Sequence, residues 1–448
     1  MPTRLAPPAS LLPLASLFTL ALALAGASGC AASACTKVRN DRQAFLQRRG
    51  SGDAAQLVVA VPLATLSQSL TFPLSRIQPI KVPLPDLELP QVPGLGIDLG
   101  SLEVGLRSVQ VLPAAEGQVG LRVTFALRSR GRDITAIDLD AVIAPQITPG
   151  DASVRLSLRP QDLVRVRPSL PPAERKKFAD FIMSLVPDGA DRLVSRGRVE
   201  QLTDKILGDF VGGQFPRVRD QLLGNLDTLV DVEIDLPPVP LARVVLRSSP
   251  TDLELWLHST LPAAPLAPGP ARAPGSDPRL VHVRMSGGTA AELANQGIAR
   301  GQIPARYDEA GEANPNGEFE AGVGWQPGPR PLRLYAWKQT GVCAKAVFAG
   351  TPALTAERGD LALAVPDARI EKVTGAFKAR VAVWYSGLGK QTFAFSQAVA
   401  GATEFELLGV DYDATPLRAA VVGDDLTIDL SLAPTPRPAT RRPATRKP

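Results

Sequence analysis

Two histidines and three cysteines among 448 residues are too few for a zinc cluster or a multi-histidine metal centre. The chain lacks a G-x-S-x-G elbow, a P-loop and an H-E-x-x-H helix, so the commonest hydrolase, nucleotide and metalloprotease chemistries have no motif to rest on. Charge of one sign is also lacking. The 49 Lys and Arg nearly balance 44 Asp and Glu. Five of those cations (Arg437, Arg441, Arg442, Arg446, Lys447) sit in the last residues. The body is therefore near neutral, which argues against nucleic acid as a partner. No catalytic residue, metal site or cofactor is expected. What is abundant is apolar content, 45%, enough for a packed core, and proline, with 43 residues, about twice ordinary usage.

The N-terminus reads as an address. Arg4 precedes an apolar stretch from Leu11 to Ala25, followed by GASGC. A charged start, a short apolar core and small residues define a secretory signal peptide over 1–29. The apolar core is too short and proline-interrupted to make a good spanning helix. Ala27-Ser28-Gly29-Cys30 resembles a bacterial lipobox, which implies acylation of Cys30 and a membrane-tethered mature chain. The alternative is plain cleavage after Ala27 or Ala34. Ala31, rather than Asp, after the cysteine fits sorting to the outer membrane. The expected location is thus the bacterial cell envelope, facing the periplasm or the surface.

Lipidation of Cys30 leaves Cys35 and Cys343, an even pair in an oxidising compartment. They form either a disulfide or two free thiols. Residues 30–55 read as anchor and polar tether. A β-rich module is expected over 56–262, a Pro/Ala-rich linker over 263–279, a second β-rich module over 280–432, and a disordered basic tail over 433–448. The tail, with RPAT twice, either touches an anionic envelope polymer or headgroups, or merely solubilises.

Period-two alternation dominates the first module. Leu121, Val123, Phe125 and Leu127 alternate with Arg122, Thr124, Ala126 and Arg128. Similar patterns cover 154–159, 230–236 and 253–258, so antiparallel strands with one wet and one dry face are expected. Prolines across 77–98 confine that stretch to an edge or loop. A helical block follows over 172–229. Pro171-Pro172 opens it, and Phe178, Phe181, Ile182 and Leu185 share one face. His258 reads as a wet-face surface residue. SGGTAA (286–291) reads as a turn with Thr289 capping a helix. Asp138/Asp140 and Asp411/Asp413 read as solvated faces. Trp325, Tyr335, Trp337, Trp384 and Tyr385 form either an exposed glycan- or lipid-binding patch or ordinary β-core.

Strand LVVAV (57–61) followed by helix PLATLSQSL (62–70) is echoed by LVHVRM (280–285) and TAAELANQGIA (289–299). With the signal peptide, central helices and proline-rich join, this order resembles the TULIP superfamily of tubular lipid-binding proteins over about residues 56–432. The resemblance implies curved antiparallel sheets wrapped around helices in two related modules, an α+β, β-rich fold. It also implies an apolar tunnel for a lipid or another amphiphile. Val123, Phe125, Leu127, Phe178, Phe181 and Ile182 are the candidate lining residues; their alternative role is core. The second functional reading is a non-enzymatic envelope scaffold that binds cell wall, glycan or protein.

Overall fold

A computed structural model describes residues 31–435, apart from 75–78, 84–86, 89–95, 98–100, 130, 151–152, 158–161, 186–196, 198–200, 202–230, 236–238, 273–274, 309–311, 358–359, 378, 380–392, 400–402 and 408–409. The signal peptide, Cys30, the helices expected beyond 190, most of 377–385 and the tail beyond 435 lie outside the described residues; residues 433–435, expected in the disordered tail, end the last strand instead. Among the described residues no helix is long and apolar enough to cross a membrane.

The fold is β-rich α+β, built from antiparallel sheets of which two are curled into half-barrels. Among the described residues four helices accompany them: α1 (Ala31–Leu46), α2 (Leu63–Leu74), α3 (Pro172–Leu185) and α4 (Gly287–Ala299). A central seven-stranded sheet joins the two halves of the chain. From the first half it takes β1 (Leu57–Pro62), β12 (Leu241–Ser248) and β13 (Asp252–Ser259). From the second it takes β14 (Val281–Ser286), β22 (Thr403–Leu407), β23 (Val410–Val422) and β24 (Asp425–Thr435). Their order is β12-β13-β1-β14-β24-β23-β22.

The first half adds a five-stranded sheet ordered β10-β7-β6-β5-β2. It contains β2 (Ile80–Pro83), β5 (Ser101–Leu112), β6 (Val119–Ser129), β7 (Arg132–Ile143) and β10 (Leu163–Ser169). Proline-bearing β2 lies at its edge, where a missing N–H costs no ladder bond. A short ribbon, β8 (Gln146–Pro149), β9 (Ser153–Ser157) and β11 (Asp231–Asp235), and the two-residue pair β3 (Leu87–Glu88) and β4 (Gly96–Ile97) complete this half. The second half carries β15 (Arg306–Tyr307), β16 (Phe319–Trp325), β17 (Leu332–Lys338), β18 (Ala344–Gly350), β20 (Asp360–Gly375) and β19 (Ala353–Glu357), with β21 (Phe393–Val399) also on β20.

The centre has an approximate two-fold axis. β1 pairs antiparallel with β14, Val58 opposite Arg284 and Ala60 opposite His282. β1 runs into α2 as β14 runs into α4. β13 flanks β1 with Asp252 opposite Pro62, and β24 flanks β14 with Asp425 opposite Ser286. Both helices open on matching bonds. Leu63 N donates to Thr251 O at 2.9 Å, and Gly287 N to Asp424 O at 2.8 Å. The strand–helix echo in the sequence is therefore one unit used twice.

Two segments differ from expectation. Residues 31–46, expected within the polar tether, are helical and docked on the second half, with Val38 buried beside Trp337 and Cys343. The Pro/Ala-rich linker is an ordered strap laid over the central sheet. Its Leu266 and Ala271 bury themselves against Val58, Ala60 and Trp256.

Candidate functional site

The six residues expected to line a tunnel fall in one layer. Phe125 on β6 stands opposite Ile137 on β7, Leu127 opposite Thr135 and Val123 opposite Leu139. Directly opposed residues share a sheet face. Thr135 Oγ1 on that face donates to Glu174 O of α3 at 2.8 Å, which places α3 over Phe125 and Leu127. Glu174, in the first helical turn, also accepts from Ala136 N at 2.9 Å. Burial raises the Glu174 pKa, but bonds from Lys177, Ala136 and Thr135 outweigh it, and the net is below the usual value. The helix turns Phe178 and Ile182 inward, both fully buried, while Val123 and Phe181 are half-buried. Phe178 and Phe181 sit 6.3 Å apart, ring to ring. Asp140 and Asp138 occupy the other face as expected, on Arg122 at 2.7 Å and Thr124 at 2.8 Å.

The central interface is chemically different. β14 buries its polar face: His282, Arg284 and Ser286 are all under 9% exposed. The strap covers that face. A proline-rich segment outside any ladder carries carbonyls that need donors. Arg284 donates to Ala267 O at 2.6 Å and Pro270 O at 2.8 Å, and its guanidinium grips Asp425. Ser286 Oγ donates to Ala264 O, and the Gln56 amide to Leu261 O and Ala263 O. Arg272 of the strap reaches back to buried Asp252 at 2.5 Å and to Asp277 O and Leu280 O. His282 Nδ1 lies 2.6 Å from Asp429.

His258, read as a surface residue, is buried between Asp53 O, at 3.1 Å, and Arg243. Burial, then the Arg243 and Arg247 charges, lower its pKa. The backbone at Gly52 and Asp53, just after α1, covers what would otherwise be a wet face, and alternation alone gave no sign of that. At the turn before α4, Ser286 rather than Thr289 is the cap, accepting from Thr289 N at 3.1 Å.

The third feature is the seat of α1. Cys35 and Cys343 are joined by a disulfide, Cα to Cα 4.9 Å. Asp41 accepts from Trp337 Nε1 at 2.9 Å and Lys345 Nζ at 2.7 Å. Burial raises the Asp41 pKa, but those bonds and the Lys345 and Lys372 charges bring it below the ordinary value. Arg42 lies over the Trp337 ring at 4.7 Å and Arg48 over Phe45 at 3.9 Å. Phe45, Tyr335 and Trp337 form one aromatic cluster, so these two β17 rings pack under α1. Trp325 packs separately, against Gly287; Trp384 and Tyr385 lie outside the described residues.

No protein-family model matches the chain, and no curated protein matches it. Among solved structures it is similar to P47 of Clostridium botulinum E1, at 8% identity and a TM-score of 0.38 over 84% of this chain and 99% of that one. P47 from Clostridium botulinum A2 gives 9% and 0.29, over 88% and 84%. A lipopolysaccharide binding protein gives 10% and 0.22, over 85% and 99%. Scores this low carry no functional argument, which rests on the chain's own residues.

Proposed function

We propose that this chain is an exported, lipid-anchored, non-enzymatic envelope protein that binds or carries a lipid or another amphiphile between a curled sheet and the helix laid over it. The observation that carries the reading is the apolar layer between β6 and α3, formed by Phe125, Leu127, Phe178 and Ile182. An acyl chain is chemically equivalent to the side chains meeting there. It needs only separation of helix from sheet to take their place. Exposing the roughly thirty methylenes of a two-chain lipid to water costs tens of kcal/mol at about 0.8 kcal/mol each, so even partial shelter favours binding strongly. The TULIP resemblance of the sequence points to the same class of ligand.

The location has its own support. A Cys35–Cys343 disulfide is stable in an oxidising compartment, as export implies. Both histidines are buried and engaged, His258 by the Asp53 carbonyl and His282 by buried Asp429, which disfavours acid–base work. The cationic tail would add attraction to anionic headgroups or wall polymer.

The test is mass spectrometry of organic extracts from residues 31–448, which retain Cys35, purified without detergent from the native envelope. Stoichiometric phospholipid, lipid A or another amphiphile is the expected result and names the cargo class. A chain that is empty and takes up no fluorescent lipid overturns the carrier reading and leaves the scaffold reading for glycan and pull-down screens.

A further inference from the structure

We infer that the end of the second half around Cys343 and Phe377 lies against the lipid bilayer, with the central sheet and first half held away from it. This rests on the proposed acylation of Cys30 and on the path of the chain from Ala31 onward.

A flexible tether would let the body tumble freely above the membrane. Instead α1 begins at Ala31, directly after Cys30. Only four residues lie between Cys30 and Cys35, and from Ala31 to Cys35 the helix rises about 6 Å at 1.5 Å per residue; Cys35 is bonded to Cys343. From there α1 is fixed along its length. Val38 is buried, Asp41 and Arg42 hold Trp337, and Arg48 reaches Glu292 on α4 at 2.7 Å. The chain then joins the central region, where Gly50 N donates to Thr260 O. The helix is thus a strut of about 24 Å, with its membrane end at Cys343 and its far end toward the central sheet.

The surface at the Cys343 end suits a bilayer. Ala376 N donates to Cys343 O at 2.9 Å, so Phe377 is adjacent in chain to that contact. Phe377 is 69% exposed, the highest value among the large exposed hydrophobics Leu46, Val164, Leu417 and Val422. An exposed aromatic beside an anchor fits the interfacial zone of a membrane. Lys37, two residues after Cys35 on α1, and Lys372, three residues before Gly375 on β20, are exposed. Asp41, the acid within reach of Lys372, is taken up by Lys345 and Trp337. Cations close to a lipidated segment strengthen its hold on anionic leaflets.

The experiment separates orientation from acylation. Residues 31–448 with an N-terminal hexahistidine in place of the anchor are attached to nickel-lipid vesicles of phosphatidylethanolamine and phosphatidylglycerol. Phe377→Trp and Val422→Trp are compared with the parent chain for quenching by nitroxide-labelled lipid, with thermal melts confirming that each variant is folded. The added quenching should be at least threefold larger for Phe377→Trp. Equal quenching at the two positions, larger quenching at Val422→Trp, or none at either overturns the orientation. The mass of the N-terminal peptide from the full chain, made in its own host, is read separately. An unacylated Cys30 refutes the anchor whatever the quenching shows.

Discussion

The two strand–helix units at the centre occupy matching places and are buried to the same depth, yet their chemistry is opposite. On β1 the buried positions are Val58, Ala60 and Pro62; on β14 their counterparts are His282, Arg284 and Ser286. One strap covers both. The strap offers apolar side chains, Leu266 and Ala271, and a row of carbonyls without ladder partners. β1 takes the side chains and β14 takes the carbonyls. Two copies of a unit can thus diverge completely in residue type while keeping register, because the covering segment has two kinds of surface to satisfy. The helix starts follow the same logic. Gly287, the counterpart of Leu63, has no room for a Cβ, which would overlap the Trp325 ring.

The strongest way to break this comparison is Arg284→Leu. It strips donors from Ala267 O and Pro270 O and leaves the Asp425 carboxylate buried without its cation. Removing one partner of a buried pair costs about 3–5 kcal/mol, read as a fall in the urea midpoint. Arg284→Leu/Asp425→Leu should recover much of that loss, since a matched apolar pair often equals a buried ion pair. A single variant costing under about 1 kcal/mol would mean that the strap is held by its side chains alone.

A smaller effect comes from making β1 resemble β14. Val58→Thr keeps the shape but sets a hydroxyl beneath Leu266 and Ala271. An unsatisfied buried group costs about 1–3 kcal/mol. The converse, Ser286→Ala, removes a donor to Ala264 O and the cap of α4, for about 1 kcal/mol. If Val58→Thr is neutral, the strap has a carbonyl to offer on that side too, and the two strands differ less than their residues suggest.

Much of this was legible in the sequence where a period recurs. The alternation around Phe125, the Phe178/Ile182 helical face and the repeated strand–helix opening each carry a geometric signature, and each appears in its place. The strap and α1 have none. Pro, Ala and Gly at 261–279 encode neither a ladder nor a helix, so nothing marks them as a cover for Arg284 and Ser286; His258, read as a wet-face residue, is covered by the backbone at Asp53, which the sequence marks no better. α1 hides its docking for another reason. Apart from Val38 and Phe45, its contacts run through Arg42, Asp41 and a disulfide, which look in sequence like the polar content of a tether. The apolar layer beneath α3 was legible as apolar; whether it admits a ligand is a question of helix–sheet separation, which residue pattern does not encode.

The finest way to sharpen the comparison is pH. His258 on β13 has Ser431 on β24 as its counterpart by register, and a serine does not titrate. Burial, then Arg243 and Arg247, hold the His258 pKa below its ordinary 6.5 despite hydrogen bonds to the Asp53 and Gly52 carbonyls. Between the lowered folded value and 6.5 the unfolded chain binds the extra proton, so stability rises with pH there. The His258 contribution is complete above pH 6.5 and fades as pH falls through that value toward the folded pKa. Asp41, Glu174 and Asp367 are held below 3.8, 4.5 and 3.8, so they add their loss only at lower pH. Glu292, pushed up by burial, acts with the opposite sign, weakening the fold as pH rises above 4.5. The difference between the parent chain and His258→Gln cancels these carboxylates. It should show a urea midpoint that declines between pH 7 and 5.5 in the parent and less steeply in the variant. Amide exchange should then loosen at β12 and β13 before β23 and β24, because His258 lies on β13 beside Arg243 of β12. Simultaneous loosening of both sides would mean that the seven strands open as one unit and that the strap couples them too tightly for one charge to divide.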